Sequence, residues 1–505
     1  MKFTKQVGHL NIFAILARMG IVLTLLLLAA CAPASPGTVY YITPLPQTPQ
    51  PEVEEVKDPT PIATRPVYDP GTLVDYTAQT GDTLPVLALR FNTTMDEILE
   101  ANPDLSGEIT TLSPGDEIRM PIYYEALWGN PYQIIPDSLF VNGPAQADFD
   151  TRTFVDAHPG WLKNYSSLAG GEIRRGGDLV DYVALNYSVS PRLLLALAEL
   201  QVGALTAETL PEEMKRYPLG YEDLFHEGFY LQLTWAANVL NNGYYNWRTG
   251  TLDTITKLDG TIEHPDPWQN AASVALQYYF AGQLPVEDYQ RAIYSEGFYK
   301  TYAELFGDPW QNVVNHIPGN LQQPELALPF ELGKTWTYTG GPHAAWGHGA
   351  PLAAIDFAPP AAIGGCAPRD QFVTAVADGQ IVRSEPAVAL LDLDKDGDER
   401  TGWVILYLHL GLNDQIQPGM LVKTGDPIGH PSCEGGSATG THVHIARKYN
   451  GEWVSAGGTL AFNLEGWIAG NGLEEYQGTL KKHGRTVDAC TCSDPASQIT
   501  AGLYD

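Results

Sequence analysis

The sequence predicts a multidomain chain: a small βααβ module, a mostly α-helical central domain and a C-terminal all-β antiparallel domain. Three observations predict it. Residues 73–122 read as strand, turn, capped helix, second helix and returning strand. Between 150 and 322, apolar residues recur at helical spacing. From about Leu326 the pattern changes to short apolar strands punctuated by Gly-rich turns.

Residues 1–31 read as an export signal. Lys2, Lys5 and Arg18 supply positive charge, and Met19 to Leu28 is an apolar run too short to span a bilayer comfortably. The run ends in Leu28-Ala29-Ala30-Cys31, which resembles the lipobox of bacterial lipoproteins. That resemblance implies lipidation of Cys31 and a place outside the cytoplasm, tethered to a membrane. Residues 32–72 are a linker dominated by Pro, Thr, Glu and Val, too poor in apolar surface to fold. The formal net charge of −30 argues against nucleic acid as a partner. Beyond Cys31 stand Cys366, Cys433, Cys490 and Cys492, an even number that suggests disulfides in an oxidising compartment. Neighbours two apart rarely bridge, so Cys366 or Cys433 is expected to pair with the Cys490/Cys492 tail, or with each other.

In residues 73–122, Thr94 is an expected helix N-cap with Glu97 three residues on as its box partner. The elements Gly81-Asp82-Thr83-Leu84, Asn92 to Pro103 and Leu112 to Pro121 resemble the lysin-motif (LysM) domain. That family binds N-acetylglucosamine-containing glycans in a groove between its first helix and the loop after the second. The resemblance implies a groove involving Gly81, Asp82, Thr83 and the Asn102 region. Residues 123–149 read as a connector.

The central segment, 150–322, carries a helical pattern over Leu179 to Leu200, with Pro191 at a helix start. Further helices are expected at 221–240, 268–280 and 286–306. Tyr187 to Gly203 looks like the first catalytic helix of lysozyme-like transglycosylases, which needs a carboxylic acid to protonate the glycosidic oxygen. The alignment puts Gln201 at the acid position, not Glu199, and an amide has no proton to give. The expectation is a degenerate lysozyme-like domain.

The stretch Gly440-Thr441-His442-Val443-His444-Ile445 reads as a strand with both imidazoles on one face, roughly 7 Å apart. Upstream lie Gly340-Gly341-Pro342-His343, Ala354-Ile355-Asp356-Phe357 and Tyr407-Leu408-His409-Leu410. Six of the twelve histidines fall between His343 and His444. Neutral imidazoles plus one carboxylate are the recipe for a catalytic zinc site. These ordered pieces, with the hairpin Val373 to Val382 and the turn Val422 to Gly429, resemble the lysostaphin and β-lytic group of zinc metallopeptidases, which cut peptides in bacterial cell walls. The resemblance spans about 140 of 505 residues, within an expected domain at 323–470. It implies His343, Asp356 and His444 as zinc ligands, with His442 as general base and His409 as oxyanion partner. His348, on the Trp346-Gly347-His348-Gly349 loop, matches the ligand motif less well than His343. Tyr407 is expected to pack, and His430 to sit in a loop.

Asp392-Leu393-Asp394-Lys395-Asp396-Gly397 has the start of a calcium loop, but the twelfth position is Trp403 rather than Glu, which excludes a standard EF-hand. Calcium at Asp392, Asp394 and Asp396 stands against an acidic solvated turn. The expected function is a zinc-dependent metalloendopeptidase that cleaves peptide stems or crosslinks of peptidoglycan, docked by LysM. The rivals are an inactive wall-binding protein and a glycan-cleaving enzyme acting through the central domain.

Overall fold

The computed structural model describes residues 65–502, apart from residues 127, 361–363, 414 and 493. The expected export signal, Cys31 and most of the Pro-rich linker lie outside the described residues. No helix among the described residues is long and apolar enough to cross a membrane.

The LysM-like segment folds as expected. Strand β1 (Thr72–Thr77) pairs antiparallel with β2 (Glu117–Ile122), and two short helices, α1 (Leu84–Arg90) and α2 (Met95–Ala101), lie between them. The Thr94–Glu97 capping box forms reciprocally. A small core of Tyr76, Leu87, Phe91, Ile98, Leu112 and Met120 sits between helices and hairpin.

The central segment contains α3 (Thr151–Ala157), a hairpin of β3 (Ser166–Ala169) and β4 (Glu172–Arg175), then α4 (Gly176–Tyr187), α5 (Pro191–Val202) and α6 (Phe229–Thr249). A second hairpin, β5 (Ile255–Thr256) and β6 (Ile262–Glu263), precedes α7 (Ala271–Ala281), α8 (Val286–Ala292) and α9 (Phe298–Phe306). The helical pattern over 179–200 is carried by two helices, the second starting at Pro191 as expected. Ser188 takes a left-handed turn, and Ser190 caps α5 ahead of Pro191. Val189 in the turn is also buried, so the apolar pattern runs on through the break. The helix expected from 221 begins at Phe229, because the Gln232 side chain holds residues 219–226 in a loop by bonding Leu219, Tyr221 and His226. The expected connector 123–149 is not one throughout: Ile134, Ile135, Phe140 and Val141 are fully buried in the helical core.

The last segment is built on a nine-stranded antiparallel sheet. Its main order is β13 (Leu421–Val422), β10 (Gly379–Glu385), β11 (Val388–Asp392), β12 (Trp403–Leu408), β15 (Val443–Tyr449), β8 (Leu352–Ala358), β7 (Thr335–Ala344) and β21 (Gln498–Thr500). Strand β16 (Glu452–Trp453) pairs with β15. A small ladder of β9 (Val373–Thr374) and β14 (Pro427–Gly429) and a meander of β17 (Asn463–Leu464), β18 (Trp467–Asn471), β19 (Gly478–Lys482) and β20 (Arg485–Asp488) complete it. The described residues of the expected tail 471–505 therefore belong to this domain: they supply β19, β20 and the edge strand β21.

Strand alternation puts this sheet between two cores. On β12, Ile405 and Tyr407 join the domain's own core, while Val404, Leu406 and Leu408 join the core of the helical segment. Strand β11 does the same with Ala389 and Leu391 against Val388 and Leu390. Sheets covered on both faces read as continuous apolar runs, which is how Val404 to Leu408 reads.

Cys366 pairs with Cys433, one of the expected alternatives. Cys490 pairs with Cys492, against the expectation for neighbours two apart: the chain doubles back at this turn, with 5.0 Å between the Cα atoms.

Candidate metal centre

Three adjacent strands carry the candidate ligands. His444 on β15 is directly opposite Asp356 on β8, and Asp356 is opposite Gly340 on β7. Irregularities in the β7–β8 register on both sides of His343 re-aim its side chain toward the pair. His343 Nε2 lies 3.0 Å from His444 Nδ1 and 3.3 Å from Asp356 Oδ1, and His444 Nδ1 lies 3.5 Å from the same oxygen. All three residues are buried. His348 is exposed on the following loop and is not part of this group.

His442 sits one residue before β15, on an isolated bridge to Ser432. The chain there is still extended, so the imidazole reaches the same side as His444. Its Nε2 is 3.7 Å from Asp356 Oδ2. His409 lies just beyond a strand: β12 ends at Leu408, and His409 turns at φ 65°. A non-glycine residue there costs of order 1 kcal/mol or more and is held by its surroundings. Ser432 does this, donating its backbone N–H (2.7 Å) and its hydroxyl (3.0 Å) to the His409 carbonyl. The turn brings the His409 ring to 4.5 Å from that of His442.

Each of the four imidazoles gives its outer nitrogen to a backbone carbonyl. His343 Nδ1 bonds Gly341 O at 2.8 Å, His444 Nε2 bonds Ala345 O at 3.1 Å, His409 Nδ1 bonds Glu434 O at 2.7 Å, and His442 Nδ1 bonds Gly440 O at 2.7 Å. In the neutral ring the other nitrogen is then a lone pair pointing inward. Burial pushes His409 down to about 4, helped by His442 and His444, and burial also lowers His444. Burial works against charge on His343 as well, but the Asp356 carboxylate overcomes it and raises that histidine. Asp356 lies well below the usual carboxylate range: burial opposes this, and His343 and His442 outweigh it.

The donor set fits a divalent cation. Two inward lone pairs and a carboxylate oxygen face one another, and Asp356 Oδ1 is buried without a hydrogen-bond donor. Such an arrangement is electrostatically unfavourable unless a cation or shared proton lies between the atoms. The imidazole–carbonyl bonds are the outer contacts that orient metal-binding histidines elsewhere.

Tyr476 is a site residue that the sequence did not disclose. It stacks on His343 with ring centres 4.2 Å apart, from a turn far along the chain that carries no motif. The carbonyls of Gly341, Ala345, Glu434 and Gly440 were equally invisible, being backbone. The Cys366–Cys433 bridge and Thr441, which bonds Ala367 O at 2.8 Å, tie together the loops that supply two of them. Tyr407 packs as expected, its buried hydroxyl accepting the Val376 N–H, and His430 lies in a loop against Phe372.

The remaining candidates are placed as follows. Asp82 is buried, bonded to the Tyr76 hydroxyl, Gln79 N and Arg90. Asn102 holds Ile98 O and both backbone groups of Arg119. Gly81 and Thr83 flank Asp82 at the start of α1. Asp392, Asp394 and Asp396 come together in the β11–β12 turn, where the backbone N–H groups of Asp394, Gly397 and Asp398 answer them. Gln201 accepts from the Tyr279 hydroxyl at 3.0 Å. Glu199 holds the Leu205 N–H and the Thr206 hydroxyl.

Residues 76–121 match the family model of the LysM domain, and residues 133–320 match that of the LasA N-terminal domain. The chain is 27% identical over 342 residues to Protease LasA of Pseudomonas aeruginosa, spanning 64% of this chain and 75% of that one. It is 30% identical over 142 residues to the β-lytic metalloendopeptidase of Achromobacter lyticus, covering 26% of this chain and 36% of the relative. Among solved structures, the M23 metalloprotease pseudoalterin is 26% identical, with a TM-score of 0.28, over 33% of this chain and 96% of that one. The ordered motifs, the His-Asp-His cluster and the sequence likenesses to LasA and the β-lytic endopeptidase support a metallopeptidase of the lysostaphin and β-lytic type that carries a LysM domain.

Proposed function

We propose that the chain is a zinc-dependent endopeptidase that cleaves peptide stems or crosslinks of bacterial peptidoglycan. In this reading the LysM module docks it on glycan through the groove at Gly81, Asp82, Thr83 and the Asn102 region. Lipidated Cys31 tethers it to a membrane outside the cytoplasm. The observation that carries the reading is the convergence of His343, Asp356 and His444 within 3.0–3.5 Å, with the outer nitrogens of both histidines held by backbone carbonyls. Zinc held by these three would polarise the scissile carbonyl and acidify the attacking water. The chain's own residues do the rest. His442 Nε2 presents a free lone pair on the open side of the site and takes the proton of the water. Asp356 Oδ2, 3.7 Å away, stabilises the imidazolium that results. His409, its ring 4.5 Å from that of His442, shares that proton and through it hydrogen-bonds the developing oxyanion; the pair then gives the proton to the leaving amine as the C–N bond breaks.

The test uses the purified chain with one equivalent of zinc on a panel of peptidoglycans. New amino groups and new reducing ends are assayed in parallel, with His444→Ala as control. Amines released by the wild type and not by the variant are expected. Reducing ends that persist in the variant would place the chemistry in the helical segment instead.

A further inference from the structure

The loops that line the LysM groove already hold a peptide, and it is this chain's own. Residues 316–321, His-Ile-Pro-Gly-Asn-Leu, run between the turn at 79–83 and the loop at 108–113. On the turn side, Ile317 N donates to Thr80 Oγ1 at 2.9 Å, and that hydroxyl lies 3.2 Å from Ile317 O. On the loop side, Thr111 Oγ1 donates to Pro318 O at 2.8 Å and accepts Leu321 N at 2.9 Å. Asn320 N donates to Thr111 O at 2.8 Å, and Thr110 Oγ1 donates to Leu321 O at 2.6 Å. Ile317 and Leu321 are buried by the contact, at 4% and 6% exposure. Gly319 fits because it has no side chain: a Cβ there would clash with the Ser113 hydroxyl and come within 2.8 Å of the Ser113 Cα. Arg248 of α6 closes the remaining side, bonding Thr80 O and pressing its guanidinium on Gly81.

We infer that this LysM module clasps its own chain, so that wall glycan and residues 316–321 compete for one groove. The inference rests on the proposed docking of glycan at that groove. The threonine hydroxyls and backbone edges that would answer the hydroxyls and amide of an N-acetylhexosamine are answered here by peptide groups. Glycan then binds only molecules in which the segment has left, and its apparent affinity is reduced by that fraction. The clasp also reaches the peptidase sheet. His316 Nε2 lies 2.6 Å from Glu452 Oε2 on β16, Asn450 donates to His316 O at 2.7 Å, and Gln323 meets Arg447 on β15. Glycan capture and the support of the strand carrying His444 are thereby linked through a few residues.

The experiment measures binding of a β-1,4-linked N-acetylglucosamine pentamer to the full chain and to Gly319→Val, which wedges the segment out without altering a LysM residue. Hydrogen exchange at the amides of Ile317, Asn320 and Leu321 is followed with and without the pentamer. The expected result is binding at least tenfold tighter in the variant, and faster exchange at those amides when the pentamer is added to the wild type. Ile317→Ala, which loosens the segment from its own side, gives the same direction and stands in if Gly319→Val does not fold. Equal affinities across wild type and variants with unchanged exchange would overturn the clasp and leave glycan docking intact. No binding by any of the three would remove the docking reading, and the competition with it.

Discussion

Glu452 is the carboxylate on which the helical segment meets the peptidase sheet, and its removal has a calculable cost. It is buried beside Arg248 (3.0 Å), His316 (2.6 Å) and the Tyr244 hydroxyl (2.8 Å), while Arg248 also reaches Asp137 at 3.0 Å. Burial alone would raise its pKa, but Arg248 and His316 hold it at about 2, against 4.5 for a free glutamate. At 1.36 kcal/mol per pH unit that difference is worth ~3 kcal/mol of folding stability at neutral pH. The folded value is depressed, so the contribution is complete above pH 4.5 and is lost as pH falls through about 2. Glu452→Gln keeps the shape and deletes the charge. With residues 61–505 as one unit, about 2.1 cal/mol/K per residue makes ~0.9 kcal/mol per degree. The variant should therefore melt about 3–4 °C lower at pH 7 by scanning calorimetry, and the gap should shrink below pH 4.5 to about half by pH 3. A melting point at pH 7 within a degree of wild type, or a gap that stays constant into acid, would refute the assignment of that pKa to this network.

His409→Gly keeps the left-handed turn and removes the ring; it should retain stoichiometric zinc by mass spectrometry and lose about 10²- to 10⁴-fold in kcat. Loss of zinc would instead make His409 a ligand. His343→Ala and His444→Ala should each lose both zinc and hydrolysis, while His348→Ala should keep both, read by metal analysis of the dialysed protein. Replacing Cys366 and Cys433 by serine opens a loop of 67 residues. The loop-entropy relation puts that at ~4 kcal/mol, and chemical denaturation of oxidised and doubly substituted protein measures it.

The parts of this molecule that were legible in its sequence are those where chemistry and spacing coincide. Thr94 and Glu97 announce a helix start because the capping box needs those two side chains three apart. Gly340 to His343, Asp356 and His442 to His444 announce a shared site because ordered His and Asp motifs supply one ligand set, and sheet pairing brings His343 and His444, 101 residues apart, to 3.0 Å. What failed was of another kind. The left-handed turn at Ser188 was silent, though the helix start at Pro191 beyond it was not, because the turn residue Val189 is as apolar as the helices beside it. The exit of His409 from its strand was silent because a positive φ leaves no mark on residue type when histidine tolerates it. Tyr476 and the carbonyls that orient the imidazoles were silent because tertiary contacts and backbone atoms carry no motif. The contact of Thr80 and Thr111 with residues 316–321 was silent because it lies between segments that each look complete alone.

The sheet with a core on each side bears on how this peptidase can be moved between proteins. Val388, Leu390, Val404, Leu406, Leu408 and Trp453 are interior only while the helices cover them. Cutting the gene at residue 323 would hand the recipient a slab with one greasy side, prone to clump. An engineer who wants the catalytic part by itself must either carry the helices along or repaint those six positions with polar residues. Chimeras that respect the shared core have the better chance of staying in solution.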